Sequence, residues 1–127
     1  MSLRVLLVDD DPVILRLLEV NFRLDGFDVS TATHGDDALE RIRTIRPDAV
    51  VLDVMMPGLD GYEVAARIRA DDELAATHLV FLTARTREDE RLTQAGLDDV
   101  DRMAKPFDPI ELVRLVRNRV EATEATG

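Results

Sequence analysis

An α/β fold built on a parallel sheet covered on both faces is the architecture this sequence predicts, and three observations carry it. Short apolar, β-branched runs alternate with longer stretches of helical period, cap and turn residues punctuate the changes, and reactive polar residues gather where the apolar runs end. The strand-like runs are Arg4–Val8, Asp28–Thr31, Ala49–Leu52 and Leu79–Thr83, with a weaker fifth at Asp101–Ala104. Cores such as VLLV and AVVL are apolar without alternation, as strands buried on both faces are.

Between them, helical spacing predicts helices over Val13–Leu24, Asp36–Ile45 and Gly61–Arg69, a weaker one over Glu88–Gln94, and a last one from Pro109 to about Val120. In the last of these, Ile110, Val113, Val116 and Val120 repeat on one face. Asp11-Pro12 and Asp108-Pro109 each read as an N-cap followed by proline in the first helical turn. Gly26 stands where the first helix should stop. Five strands alternating with five helices imply right-handed crossovers within one domain, 1–122, with 123–127 as a frayed tail or the start of a linker.

The 127 residues fit a single domain, and 16 basic against 26 acidic residues give a net charge of −10. That field argues against direct binding of nucleic acid or of an anionic membrane. Zero cysteines exclude a disulfide framework, a thiol nucleophile and a thiolate zinc site. The apolar run before the first aspartates is too short for a signal or spanning segment, so a cytoplasmic location is expected. Of the 16 basic residues, 15 are arginine; Lys105 alone is lysine, which marks it as a position requiring a compact ammonium.

In an open parallel sheet, chemistry collects at the carboxyl ends of the strands. The first strand ends in Asp9 and Asp10, the third in Asp53, the fourth in Thr83 and the fifth in Lys105. Each has an ordinary structural reading by itself: a solvated charge run, a loop-starting aspartate, a β-branched strand residue, an exposed lysine. Those readings explain poorly why all five fall at equivalent ends. Clustered carboxylates repel and raise a pKa unless a cation sits among them, and carboxylates with a carbonyl and waters are the ligand set Mg²⁺ prefers. With its charge neutralised by metal and lysine, a phosphoryl group becomes open to attack by a carboxylate.

The segments LLVDDDP, VVLDVMMPGLDGYE, FLTAR and AKPF, taken together, resemble the signature blocks of the response-regulator receiver domain of two-component signalling. The likeness runs from about Arg4 to Val120, and the separations of 43, 30 and 22 residues between Asp10, Asp53, Thr83 and Lys105 are similar to the family's. It implies a flavodoxin-like sheet of order 2-1-3-4-5. It also implies a regulatory phosphoacceptor rather than an enzyme acting on other substrates. Asp53 would take phosphate from a phosphohistidine on a sensor histidine kinase or a histidine phosphotransfer protein. Asp10, Asp53 and the Met55 carbonyl would hold Mg²⁺, or Mn²⁺ in its place, with Asp9 contributing through water or outer contacts. Lys105 would pair with the phosphate, Thr83 would hydrogen-bond it on switching, and Pro57 and Gly58 would shape the loop. Further partners implied are a second copy or an effector domain, through the fourth helix, fifth strand and fifth helix.

Competing readings fit less well. A haloacid-dehalogenase-type phosphatase resembles this chain in its strand-end aspartate but needs an acid where Met55 stands, and a flavodoxin-type FMN site would face three repelling aspartates. A non-phosphorylated pseudo-receiver acting only as an interaction domain remains the alternative. His34 and His78 read as surface or loop residues rather than phosphotransfer histidines.

Two expectations concern surfaces. On the first helix, Val13, Ile14, Leu15, Leu17, Leu18, Val20, Phe22 and Leu24 cover about 220° of arc, more than a core stripe needs, so one edge should stay exposed for a partner helix. Either the Val13/Val20 side or the Leu15/Phe22 side would serve. The second is a departure from the family: Arg102 stands three residues before Lys105, where receivers usually carry an aromatic switch residue. A guanidinium resists burial, so Arg102 should stay outward, paired with an acid such as Asp99 or Asp101. Switching would then run through Thr83, the Arg85–Glu88 loop and the fourth helix, without an inward swing of Arg102.

Overall fold

A computed structural model of the chain describes residues 3–83 and 100–126. Five strands, β1 (Arg4–Val8), β2 (Asp28–Ala32), β3 (Ala49–Asp53), β4 (His78–Thr83) and β5 (Asp101–Ala104), form one sheet of order β2-β1-β3-β4-β5. Every pairing is parallel, with Val8 level with Ala32 and Leu52, and Thr83 level with Ala104. Four helices lie among the described residues: α1 (Pro12–Leu24), α2 (Gly35–Ile45), α3 (Gly61–Ala70) and α4 (Pro109–Thr126). The helix expected over Glu88–Gln94 and the Arg85–Glu88 loop fall outside the described residues.

Side-chain alternation along the strands divides the interior into two cores. Leu6, Val8, Val50, Leu52 and Phe81 point to one face, where Ile42 of α2 and Ile68 of α3 meet them. Val5, Leu7, Val51, Val80 and Leu82 point to the other, against Leu18 and Phe22 of α1 and Leu112 and Val116 of α4. The central strands are apolar on both faces because both faces are covered.

Three of the four described helix starts carry an aspartate cap, while His34 before α2 makes no side-chain cap hydrogen bond. Asp11 Oδ1 accepts the Val13 N–H at 2.9 Å, Asp60 Oδ1 the Glu63 N–H at 3.0 Å and Asp108 Oδ1 the Ile110 N–H at 2.9 Å. After α1 the chain turns at Gly26 with φ +91°, a conformation that glycine alone adopts without cost. The last helix continues to Thr126, six residues beyond the expected stop near Val120. The segment Glu121–Thr126 consists of Glu, Ala and Thr without a breaker, so the helix runs on toward Gly127.

Candidate functional site

The strands carry their terminal polar residues to one edge of the sheet. Asp9 follows β1, and its N–H donates to Ala32 O at 3.2 Å, which extends the β1–β2 ladder by one bond. Its side chain is wholly buried; Oδ1 accepts the Asp11 N–H at 2.8 Å, and Oδ2 is buried without a hydrogen-bond partner. Asp53 closes β3 and is also buried, its Oδ1 accepting the Met55 N–H at 3.2 Å. Asp10 is exposed. Carboxylate oxygens of Asp9, Asp10 and Asp53 lie within 4.8 Å of one another.

Lys105 faces this cluster. Its backbone N–H donates to Thr83 O at 2.7 Å, which ties the end of β5 to that of β4, and its Nζ lies 3.3 Å from Asp53 Oδ1 and 3.6 Å from Asp9 Oδ2. The Lys105–Pro106 peptide is cis. Thr83 is buried at the end of β4. One ammonium thus pairs with two of the three clustered carboxylates. Burial pushes the Asp9 carboxyl up to about 6, helped by the charges of Asp53 and Asp10 and opposed by the Asp11 N–H and Lys105.

A buried carboxylate oxygen with no donor, beside two further carboxylates, is the electron-rich environment a hard divalent cation satisfies. The donor set therefore fits Mg²⁺. The sequence matches the family described as response regulator receiver domain over residues 5–117. The chain belongs to that family.

Among this receiver's relatives, the DNA-binding response regulator MtrA of Mycolicibacterium smegmatis is 40% identical over 126 residues, 98% of this chain and 53% of MtrA. The transcriptional regulatory protein PrrA of Mycobacterium leprae is 44% identical over 128 residues, 99% of this chain and 53% of PrrA. The chain spans about half the length of these two regulators. The receiver domain of sensor histidine kinase PA1611 from Pseudomonas aeruginosa superposes with a TM-score of 0.84 at 32% identity, covering 95% of this chain and 99% of that one, and it holds a magnesium ion in its active site cleft. No helix among the described residues is long and apolar enough to cross a membrane.

The other predicted residues fall as follows. Met55 is the second residue of the loop after β3 and is exposed. Arg102 is exposed on β5, level with Phe81 of β4. Of the two acids proposed as its partners, Asp99 lies outside the described residues. Asp101 is gripped by Arg119, whose Nε and Nη2 reach its two oxygens at 2.8 and 3.1 Å. The fork on α4 matches both carboxylate oxygens at once, and sequence separation alone gave no sign of it. His34 precedes α2 and is exposed, while His78 is half-buried as the first residue of β4.

Sequence reasoning overlooked Gly61. A Cβ there would lie 2.5 Å from Asp53 O, so only glycine lets α3 begin this close to the end of β3. The signal was the Asp60-Gly61 pair at a helix start, eight residues after Asp53.

Proposed function

We propose that this receiver accepts a phosphoryl group on Asp53 from a phosphohistidine and that the modified edge then alters the surface offered to a downstream partner. The observation that carries the reading is the placement of a buried strand-end carboxylate, Asp53, 3.3 Å from the lone lysine and inside a three-carboxylate cluster. An Asp53 oxygen forms the bond to phosphorus as the bond from phosphorus to the imidazole nitrogen breaks, and the imidazole leaves. Lys105 neutralises charge on the transferring oxygens, and the Thr83 hydroxyl donates to one of them. Mg²⁺, or Mn²⁺, held by Asp10, Asp53 and the Met55 carbonyl with Asp9 beside them, would supply the remaining positive charge. The domain promotes only its own phosphorylation and dephosphorylation.

The kinase or phosphotransfer partner would dock on α1. Val13, Leu17, Val20 and Leu24 are 76, 45, 40 and 82% exposed and recur at the spacing of one helix face, while Leu18 and Phe22 are buried. The Val13/Val20 side is thus the open one, and it suits the apolar face of a partner helix. Ile110, 62% exposed at the start of α4, adds to the apolar surface outside the core. A cytoplasmic setting fits such partners. The kinship with DNA-binding regulators qualifies the expectation of no nucleic-acid partner: the charge of −10 speaks for the receiver alone, and contact with DNA would belong to a separate effector domain. The same partner region, or a second copy, would engage β5 and α4.

A small acyl phosphate donor tests the chemistry directly. Intact mass should show one phosphoryl group on the wild type only with Mg²⁺ or Mn²⁺, and none on Asp53→Asn, whose circular dichroism stays native. Labelling that persists in Asp53→Asn would sink the assignment, and a wild type that never labels would favour the pseudo-receiver reading.

A further inference from the structure

The loop after Asp53 is confined by two helix starts that lack a side chain, both acting near its C-terminal end. The Gly61 N–H donates to Val54 O at 3.1 Å. The first residue of α2 abuts Leu59, two residues before Gly61: a Cβ on Gly35 would lie 2.3 Å from Leu59 O, 2.8 Å from Leu59 Cβ and 3.1 Å from Leu59 C. Two of the three are backbone atoms, which no rotamer change can move aside. The Leu59 side chain packs against the core beneath α2 and α3, so the loop is restrained on that side as well.

Backbone torsion does not explain this glycine. Gly26 and Gly58 have positive φ and open space where a Cβ would stand, whereas Gly35 is not among the residues with positive φ and is buried. Alanine is the better helix former, so helix propensity does not explain a glycine there. Close approach to Leu59 is what a Cβ would prevent. The loop so confined runs from Val54 to Asp60 and contains Met55, whose N–H holds Asp53 Oδ1.

We propose that Gly35 is a positioning residue for the phosphoacceptor. Its bare α-carbon lets α2 seat directly on the Leu59 backbone, and that seat sets where Met55 lies relative to Asp53. The inference rests on the phosphoacceptor reading for its functional consequence but not for its structural one. A methyl group at position 35 must push the Leu59 backbone away by about 1 Å to reach ordinary van der Waals separation, and the displacement runs along a short loop to the Met55 N–H and carbonyl. Supporting contacts of this kind typically change metal affinity or activity by roughly 10- to 100-fold when lost.

The test compares Gly35→Ala with Gly26→Ala. In metal-free protein, Gly35→Ala should shift the amide resonances of Met55 and Leu59 while the rest of the sheet keeps its spectrum. Titration with Mg²⁺ should show affinity lowered by roughly tenfold, and labelling by a small acyl phosphate should slow at low Mg²⁺ and recover in excess. Gly26→Ala should lose thermal stability through strain at positive φ yet leave the Met55 amide and Mg²⁺ affinity unchanged. A folded Gly35→Ala with an unmoved Met55 amide and wild-type Mg²⁺ affinity overturns the proposal. Should Gly35→Ala not fold, Leu59→Ala, which frees the loop from the core without adding an atom to α2, must move the same amides, and unmoved amides overturn the proposal equally. A wild type that neither binds Mg²⁺ nor labels would refute the phosphoacceptor reading, while the metal-free amide shifts would still judge the role of Gly35.

Discussion

Two regions of this receiver manage charge in opposite ways. Where α4 passes the turn between α1 and β2, one cation has more partners than it needs. Arg117 Nε donates to Asp25 Oδ2 and Nη2 to Asp25 O, both at 2.6 Å, Nη1 donates to Glu121 Oε1 at 2.8 Å, and the guanidinium lies 5.1 Å over the Phe27 ring. Its pKa is held above the usual arginine range by the hydrogen bonds to Asp25 and then Glu121. At the carboxyl edge of the sheet the balance is reversed: Lys105 pairs with Asp53 and Asp9 inside a cluster of three carboxylates, and the buried Asp9 Oδ2 accepts no hydrogen bond. The first arrangement closes a corner of the fold. The second leaves the fold short of positive charge where a cation and a phosphoryl group would supply and use it. Stability and function have been allotted to different places.

The largest effect is expected at Asp9. Its folded pKa, pushed up to about 6 chiefly by burial, lies above the value of about 3.9 in an unfolded chain. A carboxyl raised on folding contributes stability that is fully present below about 3.9 and is lost as pH rises through about 6. Metal-free protein should therefore become less stable to urea between pH 4 and 6.5. Asp9→Asn keeps an acceptor for the Asp11 N–H and should flatten that slope. At pH 7.5 it should gain about 1–2 kcal/mol, a figure already reduced for screening by Lys105 and solvent. Mg²⁺ should raise the melting temperature of the wild type more at pH 7.5 than at pH 5, where protons compete for Asp9, and should raise that of Asp9→Asn less. A mutant less stable than wild type at pH 7.5 would mean that Lys105 fully compensates Asp9.

A smaller effect is expected at the compensated corner. Arg117→Met keeps an apolar stem of similar length but deletes the hydrogen bonds to Asp25 and Glu121 and the guanidinium over the Phe27 ring. Because the Arg117 side chain is one-third exposed, the loss should be about 1 kcal/mol in urea denaturation. Phosphoryl acceptance should be unchanged. Slower labelling of Arg117→Met at full folding would show that the two regions are coupled.

Much of this division was legible in the sequence. The parallel sheet, its five strands and the collection of Asp9, Asp10, Asp53, Thr83 and Lys105 at one edge follow from apolar runs and their terminal residues, because chain direction in a parallel sheet forces strand ends together. Order 2-1-3-4-5 came from resemblance to the receiver family, and the structure has it. The exposed edge of α1 was not legible, since eight apolar residues over a wide arc leave the choice to the position of the neighbouring helix. Nor was the grip of Arg119 on Asp101, or of Arg117 on Asp25, 92 residues away. Long-range pairing depends on where α4 lies against the sheet, and periodicity gives a helix without its address. Gly35 was invisible for a related reason, and Gly61 showed only as a glycine at a helix start: their role lies in atoms they lack.

The smallest expected effect is at Arg102, and it sharpens the comparison by testing a charge that belongs to neither region. Receivers resembling this one usually carry an aromatic residue at this position, able to turn between solvent and an apolar slot. Here the guanidinium stands exposed on β5, at the border of the sheet. Charge at a sheet edge discourages pairing with another chain, which gives Arg102 a use without any swing. Burying it would remove a permanent charge from water at a cost no methylene contact offsets. Arg102→Ala should therefore change stability by less than about 0.5 kcal/mol and leave labelling of Asp53 unaltered. The Arg102 side-chain Nε–H should exchange with solvent at the same rate whether or not a beryllofluoride mimic of the phosphoryl group occupies Asp53. Slowed exchange in the mimic-bound state would show the side chain moving inward and would make Arg102 a switch residue after all.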